Sequence, residues 1–270
     1  MNRLSWKNIK IYNPEFLTKR INFIKKNMVH TMPLFGREKR LLIKYADKNN
    51  LPHSEMFGFR NMIKIKHDMD HSKEYSEKIG QVKNNFTHLV KKNENNNLEK
   101  EIENFIKSSD IPVNILLKII YKTPEYKIYR IGQIPYIIYL DNLLKKRNKE
   151  TQIKSREFEL SLEKFLDKNN IEYLTEQDII INNLHKLTPD ILFVNPIIVE
   201  LNGSEFLIHW MDAKNYTLTK TSYKLYGIDK QVSKYYKAFG QGALVFHYGY
   251  DKTMKIPGTI ILDGSFLDKQ

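Results

Sequence analysis

Apolar residues in the first half of the chain recur at three- and four-residue intervals, the period of a helix with one buried face. Phe16, Ile21, Phe23 and Ile24 open one such stretch after Asn13-Pro14, and Leu41, Leu42, Tyr45 and Ala46 form a second that ends at Asn49-Asn50. The pattern predicts a polar helix over residues 72–92, a low-complexity loop at Asn93-Glu94-Asn95-Asn96-Asn97, and a helix over residues 98–108. Asp110-Ile111-Pro112 reads as a cap and first turn, with Ile115, Leu116, Ile119 and Ile120 on the buried side. One more helix is expected over residues 137–146. The charged run Lys145-Lys146-Arg147-Asn148-Lys149-Glu150 then marks a linker or domain edge.

From Ile153 the period changes. A helix over residues 153–168 stops at Asn169-Asn170, and short strands follow near residues 171–174 and 190–194. Residues 197–201 and 206–212 flank Asn202-Gly203, the dipeptide favoured in type I′ hairpin turns. A helix over residues 229–239 leads through Gly240-Gln241-Gly242 into a strand at 243–248, and 259–262 forms a last strand. This order predicts an α/β protein: a helical domain over residues 1–150, then a mixed sheet flanked by helices over residues 151–270. A helix-turn-helix-like DNA-binding element is expected around residues 98–145.

Composition narrows the function classes. The chain has 270 residues, 41% of them hydrophobic, with 16 Tyr and 14 Phe, enough to build folded cores. The absence of cysteine excludes disulfides, zinc ribbons and thiol nucleophiles, and fits an intracellular, soluble protein. No apolar run approaches the ~18 residues needed to cross a bilayer, and Met1-Asn2-Arg3-Leu4-Ser5-Trp6-Lys7 lacks a secretory hydrophobic stretch. The net charge of +13 points to a polyanionic partner such as nucleic acid. A Lys-, Asn- and Ile-rich composition from A+T-rich coding also contributes to that charge.

The chemistry-bearing feature is Pro189-Asp190 before an apolar strand, with Asp212-Ala213-Lys214 ending the next one. Strand alternation puts Trp210, Asp212 and Lys214 on one face and His209, Met211 and Ala213 on the other. Asp212 and Lys214 are then roughly 6–7 Å apart along that face. Magnesium prefers hard oxygen ligands and retains several waters. Asp190 and Asp212 are therefore candidate metal ligands, with the carbonyl near Ala213 as a further oxygen. Lys214 is placed to orient or deprotonate a water, or to neutralise phosphate charge.

These residues resemble the motif of the PD-(D/E)XK nuclease superfamily. The resemblance is closer to its TPD-motif family, which includes the codanin-interacting nuclease and is similar to archaeal Holliday-junction resolvases. Thr188-Pro189-Asp190, His209-Trp210-Met211-Asp212-Ala213-Lys214 and the stretch from Gln231 to Gly249 carry it, within about residues 153–250. Asp212 stands where related sequences have glutamate. The resemblance implies a restriction-endonuclease-like sheet and magnesium-dependent hydrolysis of DNA, with manganese able to substitute. It also implies branched or structured substrates, a protein partner and, for symmetric junctions, a homodimer. A glutamate on the first core helix would complete the metal site. Glu159 flanks the buried stripe of Phe158, Leu162, Phe165 and Leu166 and is favoured over Glu157. Gln231 and Tyr235, four apart on one helix face, would support the site. The alternative is a nuclease-fold module that binds DNA or a protein without cleaving. RNA cleavage is a third possibility.

Other candidates are weaker. His67-Asp68-Met69-Asp70-His71 has metal-ligand residue types, but its position before an expected helix favours capping. His185 is read as a loop residue, and His209 and His247 as strand residues in the core. Lys224, Tyr226, Lys230, Lys234, Tyr235, Tyr236 and Lys237 interleave cations with aromatics, as a surface that tracks a nucleic-acid backbone would.

Overall fold

The computed structural model describes residues 2–93 and 97–267. Two short strands, β1 (Arg3–Trp6) and β2 (Ile11–Tyr12), precede α1 (Pro14–Asn27), α2 (Gly36–Lys48) and α3 (His53–Asp70). Then come α4 (Ser72–Asn93), α5 (Leu98–Ser108), α6 (Val113–Ile120), α7 (Pro124–Ile128) and α8 (Pro135–Lys168). The second half runs β3 (Tyr173–Thr175), α9 (Glu176–Ile181), β4 (Ile191–Leu201) and β5 (Ser204–Lys214). It ends with α10 (Lys220–Leu225), α11 (Ile228–Phe239), β6 (Gly242–Phe246), β7 (Tyr250–Asp251) and β8 (Thr259–Asp263). Residues 94–96 of the expected asparagine-rich loop lie outside the described residues.

The protein is α/β, helical through most of its N-terminal half and then built on a mixed sheet of six strands. Two units divide it. One gathers Met1–Ile24, Leu51–Met62 and Gln152–Gln270; the other holds Lys25–Asn50 and Ile63–Thr151. The boundary expected near residue 150 therefore meets the division at Gln152, but the sheet unit also recruits two N-terminal segments. Backbone pairing explains the first: β1 lies parallel to the end of β4, from Arg3 beside Ile198 to Trp6 beside Leu201. Leu4 and Trp6 alternate inward and are buried, but four residues are too few for the sequence pattern to signal a strand.

The charged run at residues 145–150 is not a linker. It lies inside the continuous 34-residue helix α8. Lysine, arginine and glutamate are good helix formers, and the run holds neither glycine nor proline to break the ladder. Residues 67–70 precede a helix, α4, as expected, but are themselves helical. They form the last turn of α3, where Lys64 and Lys66 pair with Asp68 and Asp70 one turn on.

The sheet order is β1-β4-β5-β6-β8, with β3 also paired to β4. β4 and β5 are antiparallel, whereas β5–β6 and β6–β8 are parallel. The two expected strands at 190–194 and 197–201 are one strand with a register shift between Leu192 and Ile197. Pro196, which has no N–H to donate, falls inside that shift. Each sheet face is covered. Phe158, Leu162 and Leu166 of α8 pack with Ile191, Met211, Val245 and Leu262. On the other face, Val232 and Tyr235 of α11 pack with Leu192, Trp210, Leu244 and Phe246. The helical unit has its own core, centred on Phe86, Ile102, Leu116, Ile120 and Leu140.

In the sheet unit, α1 and the start of α3 are joined by a buried ion pair. Arg20 and Glu55 have no exposed side-chain surface. Glu55 also accepts from the Tyr12 hydroxyl at 3.0 Å, and the Arg20 guanidinium lies 4.0 Å from the Phe16 ring centre. Removing one partner strands the other charge in low dielectric. Arg20→Leu is expected to lower stability by about 3–5 kcal/mol in urea unfolding; a change under about 1 kcal/mol would show the pair to be dispensable.

Candidate active site

The hairpin turn that aligns the site requires left-handed backbone at both central positions. Asn202 has φ 51° and Gly203 φ 79°, the conformation that Asn-Gly adopts most readily. The turn starts the β4–β5 pairing, and the register shift between Leu192 and Ile197 then sets Ile191 opposite Met211, so Asp190, one residue before β4, comes level with Asp212. The Ala213 N–H donates to Asp190 Oδ2 at 2.7 Å, which fixes the first carboxylate across the strand pair. Asp212 is 3% exposed, and one of its oxygens is ion-paired with the Lys214 ammonium.

Helix α11 supplies the next layer. Gln231 Nε2 donates to the other Asp212 oxygen, Oδ1, at 3.3 Å. The Tyr235 hydroxyl lies 3.4 Å from the same amide nitrogen and donates to the Thr188 carbonyl at 3.0 Å. Tyr235 thereby holds the segment that delivers Asp190. Its ring meets Trp210 edge-on at 5.1 Å, and Trp210 Nε1 donates to the Gly240 carbonyl at 3.0 Å. The indole lies over Gly242 of the neighbouring strand, where a side-chain Cβ would clash with it.

Electrostatics follow from this crowding. Burial, and then the Asp212 charge, push the Asp190 carboxyl up to about 8, although Lys214 and the Ala213 N–H work in the opposite direction. Burial alone would lower the Lys214 ammonium, but Asp212, Asp190 and Glu159 together hold it above its ordinary value. Lys214 is thus a cation at neutral pH. Burial and Asp212 raise the Tyr235 phenol to about 12, so it remains a neutral donor.

The structure brings Asp190, Asp212, Ala213, Lys214, Gln231 and Tyr235 together. Glu159 stands apart from this group. Its helix covers the face that receives Met211 and Ala213, and its carboxylate accepts from Arg156 at 3.0 Å. Its charge is nevertheless felt by both Asp190 and Lys214. Glu157 is exposed, with no recorded link to the site. Among the described residues no group of three or more His, Cys, Asp or Glu side chains is arranged to hold a metal. Asp190, Asp212 and a main-chain oxygen could hold a hard cation only if water completed its shell.

Two links around the site escaped the sequence reading. Thr188 donates its hydroxyl to Glu176 at 3.0 Å, so α9 also tethers the segment before Asp190. Asn215, directly after Lys214, bonds the His247 ring at 2.8 Å, and that ring stacks on Phe158 at 4.4 Å. Neither link spans a short sequence interval, so no local pattern announces it. His185 packs edge-on against Phe239. His67 stacks between His30 and His71, an arrangement of parallel rings that does not converge on an ion.

The Asp190 shift has a consequence for stability. Its folded carboxyl holds a proton more tightly than the ordinary group at 3.8. The contribution is therefore present in full below that value and is lost as pH rises through about 8. In chelator, thermal unfolding between pH 5 and 9 should show the wild type losing stability relative to Asp190→Asn. Parallel curves for the two proteins would count against the buried pair.

The comparisons with known proteins carry no assigned activity. A family model described as a protein of unknown function with a TPD sequence motif matches residues 125–265. An uncharacterized protein of Acanthamoeba polyphaga mimivirus is 43% identical over 265 residues, covering 98% of this chain and 96% of that protein. No solved structure matches. Among the described residues, no helix is long and apolar enough to cross a membrane. The family match spans the hairpin, the Thr188-Pro189-Asp190 segment and α11, and the viral relative extends the likeness to nearly the whole chain: the protein belongs to the TPD sequence-motif family.

Proposed function

We propose that the protein is a magnesium-dependent nuclease that hydrolyses DNA phosphodiesters, with manganese as a substitute ion. The observation that carries this reading is the pair Asp190 and Asp212, two carboxylates held side by side in a largely desolvated site with Lys214 ion-paired to Asp212. Like charges in that setting repel, and a divalent cation relieves the repulsion while gaining hard oxygen ligands. Asp190, Asp212 and the Ala213 carbonyl would hold the ion. When bound, magnesium supplies Lewis acidity and lowers the pKa of a coordinated water.

The chain's own groups have separate tasks. Lys214, held cationic in the metal-free site, neutralises charge growing on the phosphate and orients a water. Gln231 fixes one Asp212 oxygen, and Tyr235 pins the Thr188 carbonyl. Glu159 adds negative charge that both Asp190 and Lys214 feel. The resolvase-like resemblance and the +13 charge support structured DNA as the substrate class.

The deciding assay is cleavage of linear, branched and single-stranded DNA, with RNA alongside, in magnesium or manganese. Asp190→Asn, Asp212→Asn and Lys214→Ala should each reduce kcat/KM by roughly 10²–10³-fold or more. Gln231→Ala and Tyr235→Phe, which act through other groups, should cost about tenfold. A wild type that binds DNA with steep salt dependence and never cleaves would replace the hydrolase with a binding module.

A further inference from the structure

Backbone and side-chain contacts converge on Asn215, the residue after Lys214. The Lys214 carbonyl accepts from the Tyr216 N–H at 2.8 Å and from the His247 N–H at 3.0 Å. The chain therefore turns as it leaves β5 while staying tied to the residue that follows β6. At that turn the Asn215 amide oxygen lies 2.8 Å from His247 Nδ1. Its amide nitrogen donates to the Ser155 hydroxyl of α8 at 3.5 Å. An amide oxygen accepts and cannot donate, so His247 Nδ1 is the donor of the shorter bond.

The imidazole has a fixed seat. It stacks on Phe158 at 4.4 Å with 6° between the ring planes, and on Tyr248 at 4.2 Å with 18°. Phe158 and Tyr248 are both buried. Packing of this kind sets where the ring lies, whereas the hydrogen bond is directional and sets where Asn215 must be. Two charged groups of the site depend on that joint. One is Lys214, whose ammonium pairs with Asp212. The other is Glu159, four residues beyond Ser155 and so on the same face of α8. Its charge acts on both Asp190 and Lys214.

We propose that Asn215 and His247 are positioning residues: their hydrogen bond fixes the main chain at Lys214 so that its ammonium stays on Asp212, and the contact to Ser155 sets the spacing of Glu159 from the carboxylate pair. Both act through Lys214 and α8, not on the substrate. The catalytic consequence rests on the hydrolase reading, but the placement of Lys214 does not.

The test uses three variants. Asn215→Ala removes the acceptor, His247→Phe keeps a ring on Phe158 but removes the donor, and Asn215→Asp keeps an acceptor oxygen facing His247. An ammonium held in a buried ion pair is a poor nucleophile. Trace labelling with acetic anhydride in EDTA, read by mass spectrometry, therefore reports the state of Lys214 against the other lysines of the same molecule. Asn215→Ala and His247→Phe should raise Lys214 labelling several-fold with the other lysines unchanged, and Asn215→Asp should keep it slow. In the cleavage assay the first two should lower kcat about tenfold at unchanged KM, and Asn215→Asp should recover most of the loss.

Lys214 labelling that stays at the wild-type rate in both Asn215→Ala and His247→Phe overturns the proposal. So does a rise in KM at unchanged kcat, which would put the pair on the substrate itself. Faster labelling shared by every lysine also overturns it, because the pair would then be a general support of the fold. If the wild type cleaves no nucleic acid in magnesium or manganese, the hydrolase reading falls and the labelling alone decides whether the pair holds Lys214.

Discussion

Two carboxylates brought level across one antiparallel strand pair set the terms for everything around them. Asp190 and Asp212 repel each other in a site that excludes most water, and the structure counters that repulsion in three ways. The Ala213 N–H donates to Asp190, the Lys214 ammonium pairs with one Asp212 oxygen, and the Gln231 amide donates to the other. Charge-assisted contacts of this kind are worth more than neutral ones in low dielectric, but they do not remove the like-charge term. Asp190 keeps an elevated affinity for a proton, and that residual strain is what a divalent cation would discharge.

The pair stays together because the strand phase is reset before it forms. Four residues of β4, from Phe193 to Pro196, stand opposite His209 alone. Ile208 and Met211 then both bury against α8, while Trp210 turns toward α11. Strict alternation from Ile208 would place Asp212 among the aliphatic side chains under α8. With the shift, Asp212 and Lys214 reach the α11 face, where Gln231 and Tyr235 wait. A bulge that redirects side chains beside a functional site is a familiar use of sheet irregularity.

Much of this was legible in the sequence because it is local. Asn202-Gly203 announces its turn, the helical stripe of α11 announces its face, and counting back from Lys214 puts Asp212 and Trp210 on its side of the sheet. The missing parts are non-local or too short to carry a period. β1 joins the sheet by pairing with residues almost two hundred positions away. Arg20 and Glu55, which no local pattern marks as buried, lie in the core of the sheet unit. Glu176 meets Thr188 only after α9 folds back. The run at residues 145–150 has the charge density of a linker, yet each of its residues can occupy a solvated helix.

The most direct measurement is the titration of the Asp190 carboxyl by carbon-13 NMR, without and with magnesium. The account predicts a midpoint well above that of an ordinary aspartate in the metal-free protein. It also predicts a downward displacement of that midpoint when magnesium is added, since a bound cation favours the ionised form. An Asp190 carboxyl that titrates near 3.8, or one whose midpoint ignores magnesium, would contradict a shared cation site for Asp190 and Asp212.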